Sequence, residues 1–271
     1  LGTNLKVEAV AKDGALFFMR EYLLNDKLSL EEREFRTQHK LPDDIFMHLV
    51  VHNVDPRTFL EEGQAGVELI RRTLTQNDVS FDGLKNVLDF GVGCGRILRW
   101  WEEYSTTINF WGTDINPMLI DWCNKNISFG NFLTNPLHPP TQYADSQFDL
   151  VYAFSVFTHL TAQTQEEWLT ELARILGPGK HLLVSVHGDY HAKFMTAKAY
   201  EKYMKDGYYI LTKNAEGENL CASYQNRDFC VKLFSKYFEV VNYYPEALQS
   251  CGNQDLYLLR NKKTDYSTLS Y

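Results

Sequence analysis

The stretch Val87-Leu-Asp-Phe-Gly-Val-Gly-Cys-Gly-Arg96 constrains this chain more than any other. A short apolar run ends in Gly91, Gly93 and Gly95, and a helical pattern follows from Ile97 to Tyr104. Glycine tolerates left-handed backbone and lets a ligand approach the main chain, so a strand, a glycine turn and a helix start together make a cradle. A dinucleotide fingerprint would place the third glycine one residue later, where Arg96 stands. Asp89 also argues against a dinucleotide, because a carboxylate repels a pyrophosphate and attracts the ammonium of an amino-acid moiety. The alternative is a glycine-rich turn without a ligand.

The surrounding pattern supplies a frame. Strands are expected at 86–90, 108–114, 131–134, 148–154 and 181–186, alternating with helices at 97–104, 117–126 and 164–176. Gly177-Pro178-Gly179 is expected to stop the last helix. This order implies a parallel sheet covered on both faces. Segments 237–244 and 254–260 read instead as an antiparallel hairpin at one edge. The long Tyr- and Lys-rich segment before that hairpin exceeds a simple connection and is expected to form a cap.

Ahead of the sheet, an amphipathic stretch begins with Leu16, Phe17, Met19, Arg20 and Leu23. A polar helix is expected at 29–39, with Ser29 as N-cap and Glu32 completing a capping box, and Pro42 breaks the chain after it. Asp55-Pro56 opens a further helix whose stripe of Phe59, Gly63, Gly66, Ile70 and Leu74 includes glycines that let another backbone come close. The expected division is residues 1–80 as a helical N-terminal extension and 81–271 as the α/β core, with 190–235 as a cap or lid insert.

Two further segments bear on chemistry. Asp114 ends the second strand nineteen residues after Gly95, a spacing that suits a carboxylate accepting both hydroxyls of a ribose. Ile115 and Asn116 would then flank the adenine; the alternative for Asp114 is a helix cap. Ser155 to His159 follow the fourth strand, beside the point where open α/β sheets bind ligands. Core packing is the expected role for at least two of Phe154, Val156 and Phe157, and a structural pairing or cap for Asp149. Histidine is the side chain that titrates nearest neutrality, so His159 and His187 are candidate proton acceptors, with packing or loop roles as the alternatives.

Composition removes several partners. Net charge is −8, and the basic pairs Arg71-Arg72 and Lys262-Lys263 are too short to track a polyanion, so nucleic acid is not expected. No apolar run is long enough to span a bilayer, and no membrane partner is expected. The five cysteines are scattered and lack zinc spacing, which suits a reduced cytoplasmic setting. Ser155-Val-Phe-Thr-His159 offers no carboxylates, so no metal is expected. Leu1-Gly-Thr-Asn4 lacks the order of a secretion signal and does not begin with Met, which leaves open that the chain is cut from a longer one.

Four pieces together resemble the class I S-adenosylmethionine-dependent methyltransferases over roughly residues 55–262: Leu88-Asp-Phe-Gly-Val-Gly-Cys-Gly-Arg96, Gly112-Thr-Asp-Ile-Asn-Pro117, Phe148-Asp-Leu-Val-Tyr-Ala-Phe-Ser-Val-Phe-Thr-His-Leu160 and Glu171-Leu-Ala-Arg-Ile-Leu-Gly-Pro-Gly-Lys180. The last normally reads Pro-Gly-Gly, and Lys180 replaces its second glycine. The resemblance implies a Rossmann-like, doubly wound α/β fold with a seven-stranded sheet whose final strand is antiparallel. It implies S-adenosylmethionine as cofactor, with its methionine part on Asp89 and the loop Gly91, Gly93, Gly95 and Arg96, and its ribose on Asp114. Asn135 is the nearest polar candidate for the adenine amine, and Ser155 lies by the reactive end. Asn135-Pro-Leu-His138 is faintly similar to an amine-methylating motif, but it precedes the fourth strand whereas that motif follows it. Ser155-Val-Phe-Thr-His-Leu160 is most similar to bacterial small-molecule methyltransferases, including those of natural-product and sugar pathways. The expected activity is methylation of an oxygen or nitrogen on a small-molecule acceptor. The alternatives are a non-catalytic module of the same fold and a methyltransferase acting on protein or RNA; the acidic charge and aromatic cap weigh against the last. Aromatic residues are expected to close the acceptor pocket: Phe17, Phe18 and Tyr22 from the N-terminal side, and Tyr190, Tyr203, Tyr208, Tyr209 and Tyr224 from the cap. The oligomeric state stays open, a homo-oligomer included.

Overall fold

A computed structural model of the chain describes residues 29–51, 53–217 and 219–262. The expected amphipathic stretch from Leu16, with Phe17, Phe18 and Tyr22, lies outside the described residues. Helix α1 (Leu30–Gln38) starts as the sequence predicts, the Ser29 hydroxyl accepting from Glu32 N at 3.1 Å. Helix α2 (Asp44–Val51) follows Pro42 where no helix was anticipated. It is only eight residues long and mostly apolar, too short a run for a helical period to stand out in the sequence. Helix α3 (Pro56–Thr75) is capped by Asp55, whose carboxylate accepts from Thr58 N, and its proline occupies the first turn, where no N–H is required.

The sheet segment then alternates: β1 (Asn86–Phe90), a 3-10 helix (Leu98–Tyr104), β2 (Asn109–Asp114), α4 (Pro117–Asn126), β3 (Gly130–Thr134), β4 (Phe148–Ala153), α5 (Ala162–Ile175) and β5 (Leu176–Val186). After β5 come α6 (Asp189–Ala192), α7 (Ala197–Asp206), β6 (Tyr208–Leu211), β7 (Ala222–Gln225) and α8 (Arg227–Phe234). The chain closes with β8 (Phe238–Leu248) and β9 (Gln254–Asn261). Seven strands form one sheet in the order β3-β2-β1-β4-β5-β9-β8, with β9 antiparallel to both its neighbours, while β6 and β7 make a separate hairpin. This is the doubly wound, Rossmann-like sheet with an antiparallel edge.

One expectation is corrected: the segment after the glycine turn is a 3-10 helix rather than an α-helix. Helix α5 ends at Ile175, just before Gly177-Pro178-Gly179, and the strand begins directly at Leu176, which pairs with Phe148, so the three residues lie within β5. Lys180, in place of a glycine, pairs with Asp149 at 2.6 Å, and Asp149 also accepts from the backbone N–H groups of Lys85 and Asn86. Asp149 is thus structural, tying β4 to the start of β1.

Alternation along the inner strands divides the core between the two faces of the sheet. Leu183 and Leu258 pack with Ile70 and Trp101 on one face; Val184 and Leu259 pack with Trp168 and Leu172 on the other. Each such buried side chain contributes about 1.5–3 kcal/mol relative to exposure. Helix α8 buries Cys230, Leu233 and Phe234 in the second group, so the end of the expected cap segment belongs to the sheet's cover. Helix α3 lies so close to the glycine turn that a Cβ added at Gly63 would stand 2.2 Å from Arg96 O. Among the described residues, no helix is long and apolar enough to cross a membrane.

Candidate cofactor and acceptor site

A cavity of about 720 Å³ opens at the carboxyl ends of β1, β2, β4 and β5. Gly91 and Gly93 form its floor with φ of +84° and +56°, the left-handed region that favours glycine. Both are also tightly covered: an added Cβ would lie 2.2 Å from Val156 Cγ2 at Gly91 and 2.7 Å from Val50 Cγ2 at Gly93. Gly95 does not line the cavity; an added Cβ there would meet Ile127 Cδ1 at 2.2 Å, so this glycine serves the packing of the turn against the end of α4.

The two acidic residues sit side by side beneath this turn. Asp114 Oδ2 accepts from Gly93 N at 2.9 Å and Oδ1 from Asn116 N at 2.8 Å, so each oxygen retains a lone pair for a hydroxyl. Burial pushes its carboxyl above the usual range, against the backbone hydrogen bonds it accepts. Asp89 is almost wholly buried, and burial pushes it up to about 8; Tyr152 and Arg96 oppose that shift, and Asp114 adds to it. A cation placed beside the pair would relieve this desolvation, as the ammonium of an amino acid does.

Arg96 gives the same indication from the other side. It is 5 % exposed, and its Nη2 meets Cys251 Sγ at 3.2 Å. Its Nε and Nη1 are buried without hydrogen-bond partners, as is Glu62 Oε2, 3.6 Å from Nη1. Arg96, Glu62 and Asp89 all line the cavity, and an ion pair short of hydrogen bonds beside it fits a zwitterion, whose carboxylate could meet Arg96 and whose ammonium could meet Glu62 or Asp89. Glu62 and Cys251 were not singled out from the sequence; Glu62 lies on the glycine stripe of α3, and that stripe was the available signal.

The remaining expected residues divide. Ile115, Asn116 and Asn135 line the cavity. The side chain of Asn116 caps α4 by accepting from Met118 N, and Asn135 uses its amide within its own loop, accepting from Thr113 Oγ1 and donating to Pro136 O. Ser155, His159 and His187 line the opposite part. His159 Nδ1 lies 2.7 Å from Cys221 O and His187 Nδ1 3.2 Å from Ser223 O. A carbonyl can only accept, so Nδ1 of each ring carries a hydrogen, and the neutral ring of His187 keeps a lone pair on Nε2. Burial pushes His187 down to about 3, with His191 and His159 adding to the shift.

The roof comes from two elements. Leu49 and Val50 of α2 and Gly217, Asn219 and Leu220 of the β6–β7 connection line the cavity, and Asn219 Nδ2 donates to Leu49 O at 2.7 Å. The expected aromatic lining is corrected. Among the described residues, Tyr190, Tyr203, Tyr208, Tyr209 and Tyr224 are not on the cavity wall. They pack behind it: Tyr224 stacks on His187, Tyr208 stacks on Phe229, and the Tyr203 hydroxyl donates to Asp189. Phe154 and Phe157 are both buried in the core, as expected for two of the three, and Phe154 and Val156 also border the cavity. Among the described residues, no three His, Cys, Asp or Glu side chains are grouped as metal ligands would be.

A strand–glycine turn–helix cradle with a paired carboxylate, at the switch point of a seven-stranded sheet with an antiparallel edge, defines a nucleoside-binding α/β enzyme. Residues 88–184 match the family model described as a methyltransferase domain. Residues 88–184 thus carry a methyltransferase domain, an enzyme domain whose cofactor is S-adenosylmethionine. Solved structures share the fold. An S-adenosylmethionine-dependent methyltransferase from Methanosarcina mazei is 20% identical, with a TM-score of 0.51 over 70% of this chain and 97% of its own. The 1,6-didemethyltoxoflavin-N1-methyltransferase of Burkholderia thailandensis is 13% identical, with a TM-score of 0.55 over 89% of this chain and 94% of its own. A methyltransferase from Mesorhizobium loti is 13% identical, with a TM-score of 0.53 over 71% and 98%.

Proposed function

We propose that this enzyme methylates an oxygen or nitrogen of a small-molecule acceptor. When bound, S-adenosylmethionine supplies a methyl group already activated on a sulfonium. The protein's task is to orient the acceptor and exclude water, effects that are worth on the order of 7–11 kcal/mol in favourable intramolecular cases. In this reading Asp89, Gly91, Gly93, Arg96 and Glu62 hold the amino-acid part of the cofactor, Asp114 the ribose, and Ile115, Asn116 and Asn135 surround the base. His159 and His187 are the candidates to receive the acceptor's proton or its hydrogen bond, and His187, held neutral by burial, receives the hydrogen bond. Residues 1–80 act as an extension that covers the cofactor, residues 81–271 as the core, and 190–235 as the insert over the acceptor.

The observation that carries this reading is one cavity joining the two carboxylates to the two imidazoles beneath a roof of α2 and the β6–β7 connection. A roofed cavity of this size suits a small molecule better than a polymer. The acidic charge disfavours nucleic acid, and the free cysteines suit a reducing compartment. The test is incubation with methyl-labelled cofactor and separate pools of small hydroxyl compounds, small amines, RNA and protein. Label should appear in a small molecule. Transfer to RNA or protein alone overturns the reading.

A further inference from the structure

Ser155, Ser185 and Gln254 form a chain of hydrogen bonds along one edge of the cavity. Ser155 follows β4 with φ +58°. Its N–H donates to Ser185 Oγ at 2.8 Å, Ser185 Oγ donates to Gln254 Oε1 at 2.7 Å, and Gln254 Nε2 donates to Ser155 Oγ at 2.7 Å. Ser185 is fully buried and Gln254 nearly so. The direction of this chain follows from bookkeeping of protons. Ser185 Oγ already accepts from a main-chain N–H, and its own proton needs a buried acceptor, which only the carbonyl end of the Gln254 amide provides. The amide nitrogen is therefore turned to Ser155. Ser155 Oγ accepts from it and keeps its own proton for the cavity it lines.

Ser185 pairs with Leu256 across β5 and β9, so Ser185 and Gln254, two residues from Leu256, share one sheet face, and His187 follows the end of β5. His187 gives its Nδ1 hydrogen to Ser223 O and offers a lone pair at Nε2. Ser155 and His187 both line the cavity, which therefore carries a donor from the one and an acceptor from the other.

We propose that Gln254 and Ser185 are positioning residues that hold the Ser155 hydroxyl as a donor to the methyl acceptor, and that the acceptor carries a neutral hydroxyl beside a second oxygen. The hydroxyl meets His187 and the second oxygen receives Ser155. This rests on the small-molecule reading and assigns Ser155 to the acceptor rather than to the cofactor. A carboxylate fits poorly, having no proton for His187 at neutral pH.

The test uses the full chain saturated with S-adenosylhomocysteine and three probes: catechol, 2-methoxyphenol and 1,2-dimethoxybenzene, with binding measured by titration at pH 8. The wild-type protein should bind the first two within about threefold of each other and 1,2-dimethoxybenzene about tenfold more weakly, since it has no proton for His187. Gln254→Glu offers two acceptor oxygens, so the Ser155 proton turns inward and its lone pair faces the cavity. Catechol, which can donate there, should still bind, and 2-methoxyphenol, which cannot, should bind about tenfold more weakly than catechol. A merely structural role would weaken both probes alike. Ser155→Ala should weaken 2-methoxyphenol about tenfold, and it serves if Gln254→Glu does not fold. Homocysteine-product affinity should be unchanged in both variants. The proposal is overturned if the catechol to 2-methoxyphenol ratio in Gln254→Glu matches wild type, if Ser155→Ala leaves 2-methoxyphenol binding intact, if S-adenosylhomocysteine binding falls in parallel, or if no probe binds at millimolar concentration. Failure of the wild-type chain to bind S-adenosylhomocysteine would instead strike at the cofactor site, and methyl transfer to polymers alone at the small-molecule reading.

Discussion

The main-chain N–H of Gly93 donates to Asp114 Oδ2 at 2.9 Å, which fastens the glycine turn to the end of β2. One carboxylate therefore shapes the loop and faces the cavity. Asp114→Ala should lower S-adenosylhomocysteine affinity about 100-fold, the loss of two hydrogen bonds to a charged group. Asp114→Asn, which keeps one acceptor oxygen, should fall between. Equal affinity by calorimetry in the alanine variant would remove Asp114 from the cofactor site.

Asp89 predicts a pH dependence. Its folded value of about 8 lies above the ordinary 3.8, so between these limits the folded chain holds a proton that the unfolded chain lacks. The stability of the empty protein should therefore fall as pH rises through that window, by at most about 1.4 kcal/mol per unit. A cofactor ammonium beside Asp89 favours its ionised form, so binding below pH 8 should release a proton and tighten as pH rises toward 8. Calorimetry in buffers of different ionisation enthalpy reads the release directly. Asp89→Asn should abolish it, and a release that persists in that variant would assign it elsewhere.

Gly63 and Gly66 predict a difference in stability. An added Cβ at Gly63 would meet a main-chain oxygen at 2.2 Å, whereas at Gly66 it would meet the Ile97 side chain at 2.9 Å. A side chain can turn and a backbone cannot, so Gly63→Ala should cost about 1–3 kcal/mol of overpacking, offset in part by better helix propensity. Its thermal midpoint should lie below that of Gly66→Ala. The reverse order would mean that α3 is free to shift away from the turn.

His187 predicts acid sensitivity of the opposite sign. Its folded value of about 3 lies below the ordinary 6.5, so the unfolded chain takes up a proton that the folded chain refuses. This costs no stability above pH 6.5, and the cost grows as pH falls toward 3. His187→Gln should lose less stability than wild type between pH 6.5 and 5, by at most about 2 kcal/mol. Denaturant unfolding at the two pH values measures this, and identical losses would place His187 in a hydrated setting.

The glycine turn and Asp114, which the structure brings to one cavity, were legible in the sequence because the pattern is local. Val87 to Arg96 contains its own strand, turn and helix start, and Asp114 follows at a readable spacing. The acceptor half was harder to read. Gln254 reaches Ser155 across 99 residues of sequence, and nothing in the pattern of β9 marks one buried glutamine as a site residue. Closure from the N-terminal side and the insert was expected, but helix α2 is too short and apolar to read as a helix, so Val50 over Gly93 was not anticipated. The tyrosines of the insert were expected on the cavity wall because aromatic residues suit both pockets and packing. Only the observed stacking of Tyr224 on His187 and Tyr208 on Phe229 decides between the two.

Cys221 and Ser223 sit two residues apart around β7, and their carbonyls fix the protonation of two rings that belong to other elements. The insert therefore bears on acid–base character in the chamber through main-chain carbonyls as well as through His191, which lines it. A lineage could exchange that hairpin for another and acquire a new acceptor in one step, while Asp89, Asp114 and the glycine turn went on recognising the same donor. In such a protein, substrate range is inherited separately from the power to transfer a methyl group, and the seam between the two runs along β7.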